Sequence, residues 1–214
     1  MHIPDGFLAS PVWETCSILA LTGVAVSLKT SRNILSEKNI PLIGVMSAFV
    51  FAAQMFNFPI LGGTSGHLLG GTLLAVILGP WIGSLVLSIV VIVQCLLFQD
   101  GGITALGANI FNMAFIGVFS SYYIYTGLQK ILPDKYKFPL SVWISAFFSI
   151  VFAAFCCTLE LSLSGTIPFN IAIFPMIGVH CLIGIGEGII SVSVLSFVKK
   201  VRPDLLLKKE LQYV

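Results

Sequence analysis

The chain has 214 residues, of which 57% are hydrophobic and only 9% charged, with a mean hydropathy of +1.02. A soluble domain carries about 25% charged residues, so this composition excludes a water-covered globule and predicts an integral membrane protein. The formal net charge of +2 comes from basic residues scattered between apolar runs, which excludes a nucleic-acid surface.

The chain opens with MHIPDGFLAS and its first lysine is Lys29. No basic region precedes the first apolar run, so no cleavable signal is expected. A spanning helix needs about 20 apolar residues. Seven stretches approach that: residues 10–29, 40–57, 67–81, 83–99, 104–127, 138–163 and 171–198. The third and fourth are joined only by GPWIG, whose Gly and Pro predict a tight turn, and the third is short for a span. Ala48 and Ala52 on the second form a small-xxx-small pair suited to helix packing, with a contact inside the molecule preferred over one with a partner helix. All five cysteines (Cys16, Cys95, Cys156, Cys157, Cys181) lie in apolar stretches. An odd count without metal-finger spacing reads as buried core residues.

The eleven lysines and arginines fix an expected orientation. Lys29, Arg32 and Lys38 follow the first span. Lys130, Lys135 and Lys137 lie between the fifth and sixth, and Lys199, Lys200, Arg202, Lys208 and Lys209 follow the seventh. With seven spans these regions share one side, and the other side has none. Basic loops face the cytoplasm. The expected fold class is therefore all-α: a polytopic membrane protein of about seven transmembrane helices, N-terminus outside and C-terminus cytoplasmic. Residues 1–214 are read as a single integral-membrane metal-binding domain in the cell membrane.

This arrangement puts His2 and His67 on the external face, two of the three histidines in the chain. The Met1 amine, the His2 amide nitrogen and His2 Nδ1 lie along one short piece of chain. Once the amide loses its proton they close a five-membered and then a six-membered chelate ring, leaving one corner of a square for an imidazole such as that of His67. Four nitrogens in a square suit Ni(II) or Cu(II), whereas Zn(II) prefers a tetrahedron. Pro4 stiffens the turn after the ligand, and Gly62, Gly63 and Gly66 let the second loop approach closely. The alternative is that His2 is an exposed polar residue and His67 a helix-start residue. Metal-bound imidazoles lean on a further ring of polar partners. Asp5, Asn57 and Asn109 are the preferred candidates, ahead of Gln54, Ser65, Gln94, Gln99, Asp100 and Asn112.

MHIPDGFL (1–8), FAAQMFNFPILGGTSGHLLGG (51–71) and LLFQDGGITALGANIFNMAFIG (96–117) resemble the membrane-embedded substrate-binding component of energy-coupling-factor nickel and cobalt transporters. The resemblance covers most of the chain. It implies a metal held by the N-terminal amine, the second residue and a histidine before the third span, here Met1, His2 and His67. The GTSGHLLGG form is more similar to the nickel branch, with Co(II) as the alternative substrate. No G-x-x-x-x-G-K-[ST] string cradles ATP in this sequence. The resemblance thus implies separate ATPase subunits and a transmembrane coupling subunit, together with a small accessory membrane subunit that some relatives carry fused and that here would be separate or absent. The chain would do no chemistry on its cargo.

Among interior polar residues, His180 and Glu187 share a face of the last span. A Glu160–His180 pair locking the last two spans is expected, in preference to a metal path through Glu187. Two other functions remain in view. Gly63-Thr64-Ser65-Gly66 with His180 resembles the serine–histidine dyad of rhomboid-like intramembrane proteases, provided the two side chains meet. A metal channel without coupling partners is disfavoured because the spans offer few ionisable groups for a polar path.

Overall fold

The computed structural model describes residues 1–32, 37, 39–60 and 64–206, and it is built almost wholly of helix. The helices are α1 (Ser10–Ser31), α2 (Ile40–Gln54), α3 (Gly71–Phe98), α4 (Leu106–Ile110), α5 (Val118–Ile131), α6 (Asp134–Leu163) and α7 (Phe169–Val201). A π-helical turn, Phe111–Gly117, joins α4 to α5 without a break. Two short strands, β1 (Phe58–Ile60) and β2 (Thr64–Gly66), pair antiparallel with Phe58 opposite Gly66. Helix starts follow the prolines: Pro11 and Pro41 stand in the first turns of α1 and α2, and Pro133 and Pro168 cap α6 and α7. Lys29, Lys130, Lys199 and Lys200 stand in last turns, where cations meet the negative end of the helix dipole.

Four helices (α1, α3, α6 and α7) are long and apolar enough to cross a membrane, and α2 is a shorter apolar helix. The expected third and fourth spans are the two arms of α3, residues 71–78 and 80–98, which meet at the non-helical Gly79 (φ 78°, ψ 169°) just before Pro80. The chain doubles back there. A Cβ built on Gly83 would lie 3.2 Å from the carbonyl carbon of Leu74, whereas a straight helix separates residues nine apart by about 13 Å. The leading arm, 71–78, is about 12 Å long at 1.5 Å per residue. It begins well inside the bundle, where a Cβ on Gly71 would meet Ser149 of mid-α6 and the Gly117 carbonyl. Most of α3 is buried, and α1, α2, α5 and α6 pack around it while α7 packs chiefly on α6.

The segment between β2 and α3 is neither helix nor strand, and buried backbone in that state needs partners from side chains. Glu187 of α7 accepts from the amides of Leu69 (2.6 Å) and Gly70 (2.9 Å). Gln54 of α2 donates to the Leu69 carbonyl at 2.7 Å. Gly70 takes a left-handed φ of 77° that admits the turn into α3.

Two expectations are corrected. Glu160 does not pair with His180. Its carboxylate accepts from Asn112 Nδ2 at 2.6 Å and from Cys16 Sγ at 3.3 Å, tying α6 to the π-helical turn and to α1. Asn112 lies within the π-helical turn and is fully buried; such turns are frequent at functional sites. Ala48 and Ala52 make no intramolecular seat: both are exposed on the outer side of α2, with Gly44 and Val45. Cys16, Cys95 and Cys157 are buried, while Cys156 and Cys181 are half-buried. Lys38, Lys208, Lys209, Gly62 and Gly63 lie outside the described residues.

Candidate metal centre

The first residues of the chain are threaded into the bundle. Ile3 donates its amide to Asn109 Oδ1 at 2.8 Å, and its carbonyl accepts from Asn109 Nδ2 (3.1 Å) and the Gly102 amide (2.8 Å). Asp5 Oδ1 accepts from the amide and hydroxyl of Thr104 at 2.7 and 2.6 Å. The slot admits this strand only because residue 102 is glycine: a Cβ there would lie 2.2 Å from the Asp5 nitrogen. Thr166, between α6 and α7, donates to the Phe7 carbonyl. Met1 and His2 are 0% and 3% exposed as a result.

Three nitrogens of this buried end face one oxygen. The Met1 amine and the His2 amide donate to Ser65 Oγ, both at 3.2 Å, and His2 Nδ1 lies 3.3 Å from it. The amine also donates to the Ser65 carbonyl. On its far side the His2 ring meets Gln94, with Nε2 3.2 Å from Oε1. Nε2 thus faces Gln94, while Nδ1, the ring nitrogen on the side of the Met1 amine and the His2 amide, faces Ser65 Oγ and Asp100 Oδ1. The hairpin of β1 and β2 delivers Ser65, and the irregular segment after it delivers His67.

His67 is 1% exposed and its ring stacks on that of His2 with centroids 4.7 Å apart. Its Nδ1 donates to the Leu68 carbonyl at 2.7 Å. Nε2 therefore holds a lone pair, buried and, among the described residues, without a hydrogen-bond partner. An imidazole fixed at one nitrogen by a carbonyl and free at the other is the usual posture of a metal ligand.

Electrostatics favour neutral donors. Burial lowers the Met1 amine from 8.0 to about 5. Burial, and then the adjacent amine, lower His2 from 6.5 to about 3. The same causes hold His67 well below its usual value. Asp100 is the nearby anion: its Oδ1 lies 3.3 Å from His2 Nδ1, and its Oδ2 accepts from Asn57 Nδ2 at 2.6 Å. Burial raises Asp100, while Thr104 holds the exposed Asp5 carboxyl down.

Met1, His2 and His67 are thus brought together. Asn109 and Asp5 hold the N-terminal segment through Ile3 and Thr104, and Asn57 hydrogen-bonds Asp100, which lies beside His2. Besides the stacked ring of His67, the polar groups that meet His2 are Ser65, Gln94 and Asp100. Gln94 had one legible signal, a lone amide deep in an apolar span. For the protease reading, the Ser65 hydroxyl meets Met1 and His2, and among the described residues no hydrogen bond joins it to His180.

Residues 2–205 match the family described as the cobalt uptake substrate-specific transmembrane region. A protein of Archaeoglobus fulgidus, provisionally named a fused nickel transport protein, is 37% identical over 211 residues, covering 98% of this chain and 69% of that protein. A protein of Methanocaldococcus jannaschii, provisionally named a metal transport protein, is 38% identical over 223 residues, covering 99% of this chain and 97% of that one. The crystal structure of a truncated transition metal transporter aligns with a TM-score of 0.87 at 36% identity, covering 94% of this chain and 99% of that chain.

Proposed function

The chain belongs to the CbiM family of cobalt-uptake, substrate-specific transmembrane regions and is a membrane component of nickel/cobalt uptake, and from that premise we propose that it captures Ni(II) at the external face through four nitrogens of Met1, His2 and His67. The observation that carries this reading is the facing of three nitrogens toward Ser65 Oγ at 3.2, 3.2 and 3.3 Å, beside the unpartnered Nε2 of His67. The donors are the amine, the deprotonated His2 amide, His2 Nδ1 and His67 Nε2, a set that suits planar Ni(II). One amidate leaves a net single positive charge on the complex. The Asp100 carboxylate balances it, which a buried charge requires.

The chain acts as one integral-membrane unit crossing seven times, with the short arm 71–78 entering from the outer side. Support for the orientation comes from helix lengths. α1 and α7 begin near the linked pair Phe7 and Thr166, and Lys29, Lys199 and Lys200 stand in their last turns, at the far end from Met1. ATP hydrolysis belongs to separate ATPase subunits, linked through a transmembrane coupling subunit and a small accessory membrane subunit.

The test is metal analysis and absorption spectroscopy of the purified protein with its native N-terminus. One yellow, diamagnetic Ni(II) per chain is expected, and a paramagnetic six-coordinate spectrum overturns the site. Co(II) is the second reading, favoured by the family's description as a cobalt-uptake region. It can use the same nitrogens, and a competition titration ranks the two.

A further inference from the structure

His180 repeats the posture of His67. Its Nδ1 donates to the Met176 carbonyl at 2.7 Å, as His67 Nδ1 does to Leu68. Each ring therefore keeps its lone pair on Nε2, and in each that nitrogen is buried and, among the described residues, has no hydrogen-bond partner. His180 is 0% exposed. Among the described residues its one hydrogen bond is to its own helix, so it makes no hydrogen bond that ties α7 to a neighbour. A buried acceptor left unsatisfied is unfavourable, and its retention calls for a use.

The position of His180 suggests one. Met176, His180 and Glu187 lie on one face of α7, at steps of four and seven. Thr64 Oγ1 donates to Met176 Sδ at 3.1 Å, and Glu187 receives the Leu69 and Gly70 amides. Residues 64–70 thus run along this face between Met176 and Glu187, the interval of α7 in which His180 lies, and the His180 and His67 rings are close enough to interact electrostatically. The Ile183 side chain closes in on the same stretch, 3.0 Å from where a Cβ on Gly66 would stand.

We propose that His180 is an additional metal-binding residue, whose Nε2 is the entering ligand through which Ni(II) exchanges into and out of the four-nitrogen site. The proposal rests on the reading of that site as Met1, His2 and His67. A planar four-coordinate ion is open above and below its plane, and its ligands are exchanged by adding a fifth. His180 Nε2 donates its lone pair to the metal, and His67 Nε2 then takes its own pair back and leaves. One neutral imidazole replaces another, so no proton is released and the metal keeps its oxidation state. Both Nδ1–H bonds to carbonyls persist throughout. The metal passes from the segment 64–70 to α7, at a point about 16 Å along that helix from its first residue at 1.5 Å per residue. The helix then continues to the end that carries Lys199 and Lys200.

The test compares the full chain with His180→Phe and His180→Gln, each with its native N-terminus. Ni(II) loading, and stripping by excess EDTA, are followed by the absorption of the bound metal. Both rates should fall by about tenfold or more, the scale of effect of residues around a metal site, while equilibrium affinity and the spectrum of the loaded form stay as in the parent. Parent-like rates in both variants overturn the proposal. So does a changed spectrum with weakened affinity, which would make His180 a resident ligand or a structural support. Loss of the fold in both variants overturns it as well, because a free nitrogen would then be a packing requirement. His67→Ala run alongside separates the two readings. If that variant binds Ni(II) like the parent, the four-nitrogen site itself is wrong, whatever the His180 variants do.

Discussion

The imidazole of His2 lies on that of His67, centroids 4.7 Å apart and planes 29° apart. One ring comes from the second residue of the chain and the other from the segment that enters α3, so the contact closes the N-terminal strand onto the core. Two imidazolium rings would repel at this separation. Burial and the neighbouring amine hold both neutral, and two neutral rings each leave one lone pair for a cation.

The first prediction follows from that pair. His67→Ala should weaken Ni(II) binding by more than the about 10–100-fold typical of residues behind the ligands, with the protein still folded. Among the described residues His67 hydrogen-bonds only to the adjacent Leu68 carbonyl, so its removal costs the stacking contact with His2 but no hydrogen bond between elements. Metal titration and thermal melting of the variant check this, and parent-like affinity contradicts it.

The second concerns pH. The Met1 amine is lowered from 8.0 to about 5, His2 from 6.5 to about 3, and His67 well below 6.5. Between about pH 5 and 8 protons therefore do not compete for these donors, and only the His2 amide proton must leave on binding. Affinity should fall about tenfold per pH unit across that window, one proton per metal, and more steeply below about 5. The metal-free protein has the matching dependence. Below pH 8 the unfolded amine takes up a proton that the folded one refuses until about 5, so stability rises with pH through that interval. A dissociation constant moving by two or more decades per unit between pH 6 and 8 would show exposed, protonatable donors.

Much of this was legible in the sequence, and the rest was not for definable reasons. Apolar runs located the helices, and Gly79-Pro80 marked the break in α3, because hydropathy and backbone breakers act locally. The hairpin of β1 and β2 read as a loop, since three-residue strands have no period to detect. Asp5, Asn57 and Asn109 were the expected supports of the histidines, yet Gln94 and Asp100 touch His2 directly. Helical spacing says which residues share a face but not which neighbour that face meets. For the same reason Glu160 went to Asn112 and Cys16 rather than to His180.

The third prediction tests the charge around the site. Asp100→Asn removes the carboxylate 3.3 Å from His2 Nδ1 but keeps an acceptor of similar shape. Ni(II) affinity should fall by about 10–100-fold, with the spectrum of the residual complex unchanged because all four nitrogens remain. A shifted spectrum would mean that Asp100 ligates the metal itself.

The fourth concerns the segment that carries His67. Glu187→Ala strands the amides of Leu69 and Gly70, which the carboxylate holds at 2.6 and 2.9 Å. Each buried amide left without an acceptor costs about 1–3 kcal/mol. Glu187→Gln keeps one carbonyl oxygen and should recover part of the loss. Thermal unfolding in detergent should order the three as parent, Gln, Ala. Equal midpoints for parent and Ala would show that the segment holds its shape by other means.

The last prediction concerns the chain end. The Met1 amine is fully buried and donates to the Ser65 hydroxyl and carbonyl, so two modifications should act differently. Acetylation removes the amine as a donor and should weaken Ni(II) binding outright. A glycine placed before Met1 has no room in the slot, where Asn109 and Gly102 already hold Ile3. The extended end must leave the bundle. Outside it, the new amine, two amides and the imidazole of the third residue can complete a square without His67. The extended chain should still bind Ni(II), and adding His67→Ala to it should change nothing. Its donors are then exposed and titrate near their ordinary values, so its affinity should fall with more than one proton per metal below neutral pH. Uptake by the assembled transporter should fail, because the metal no longer lies against the core. Affinity, proton slope and uptake are compared for native, acetylated, glycine-extended and glycine-extended His67→Ala chains. Unchanged affinity on acetylation would show that the amine is not a ligand, and that the buried end serves the fold alone.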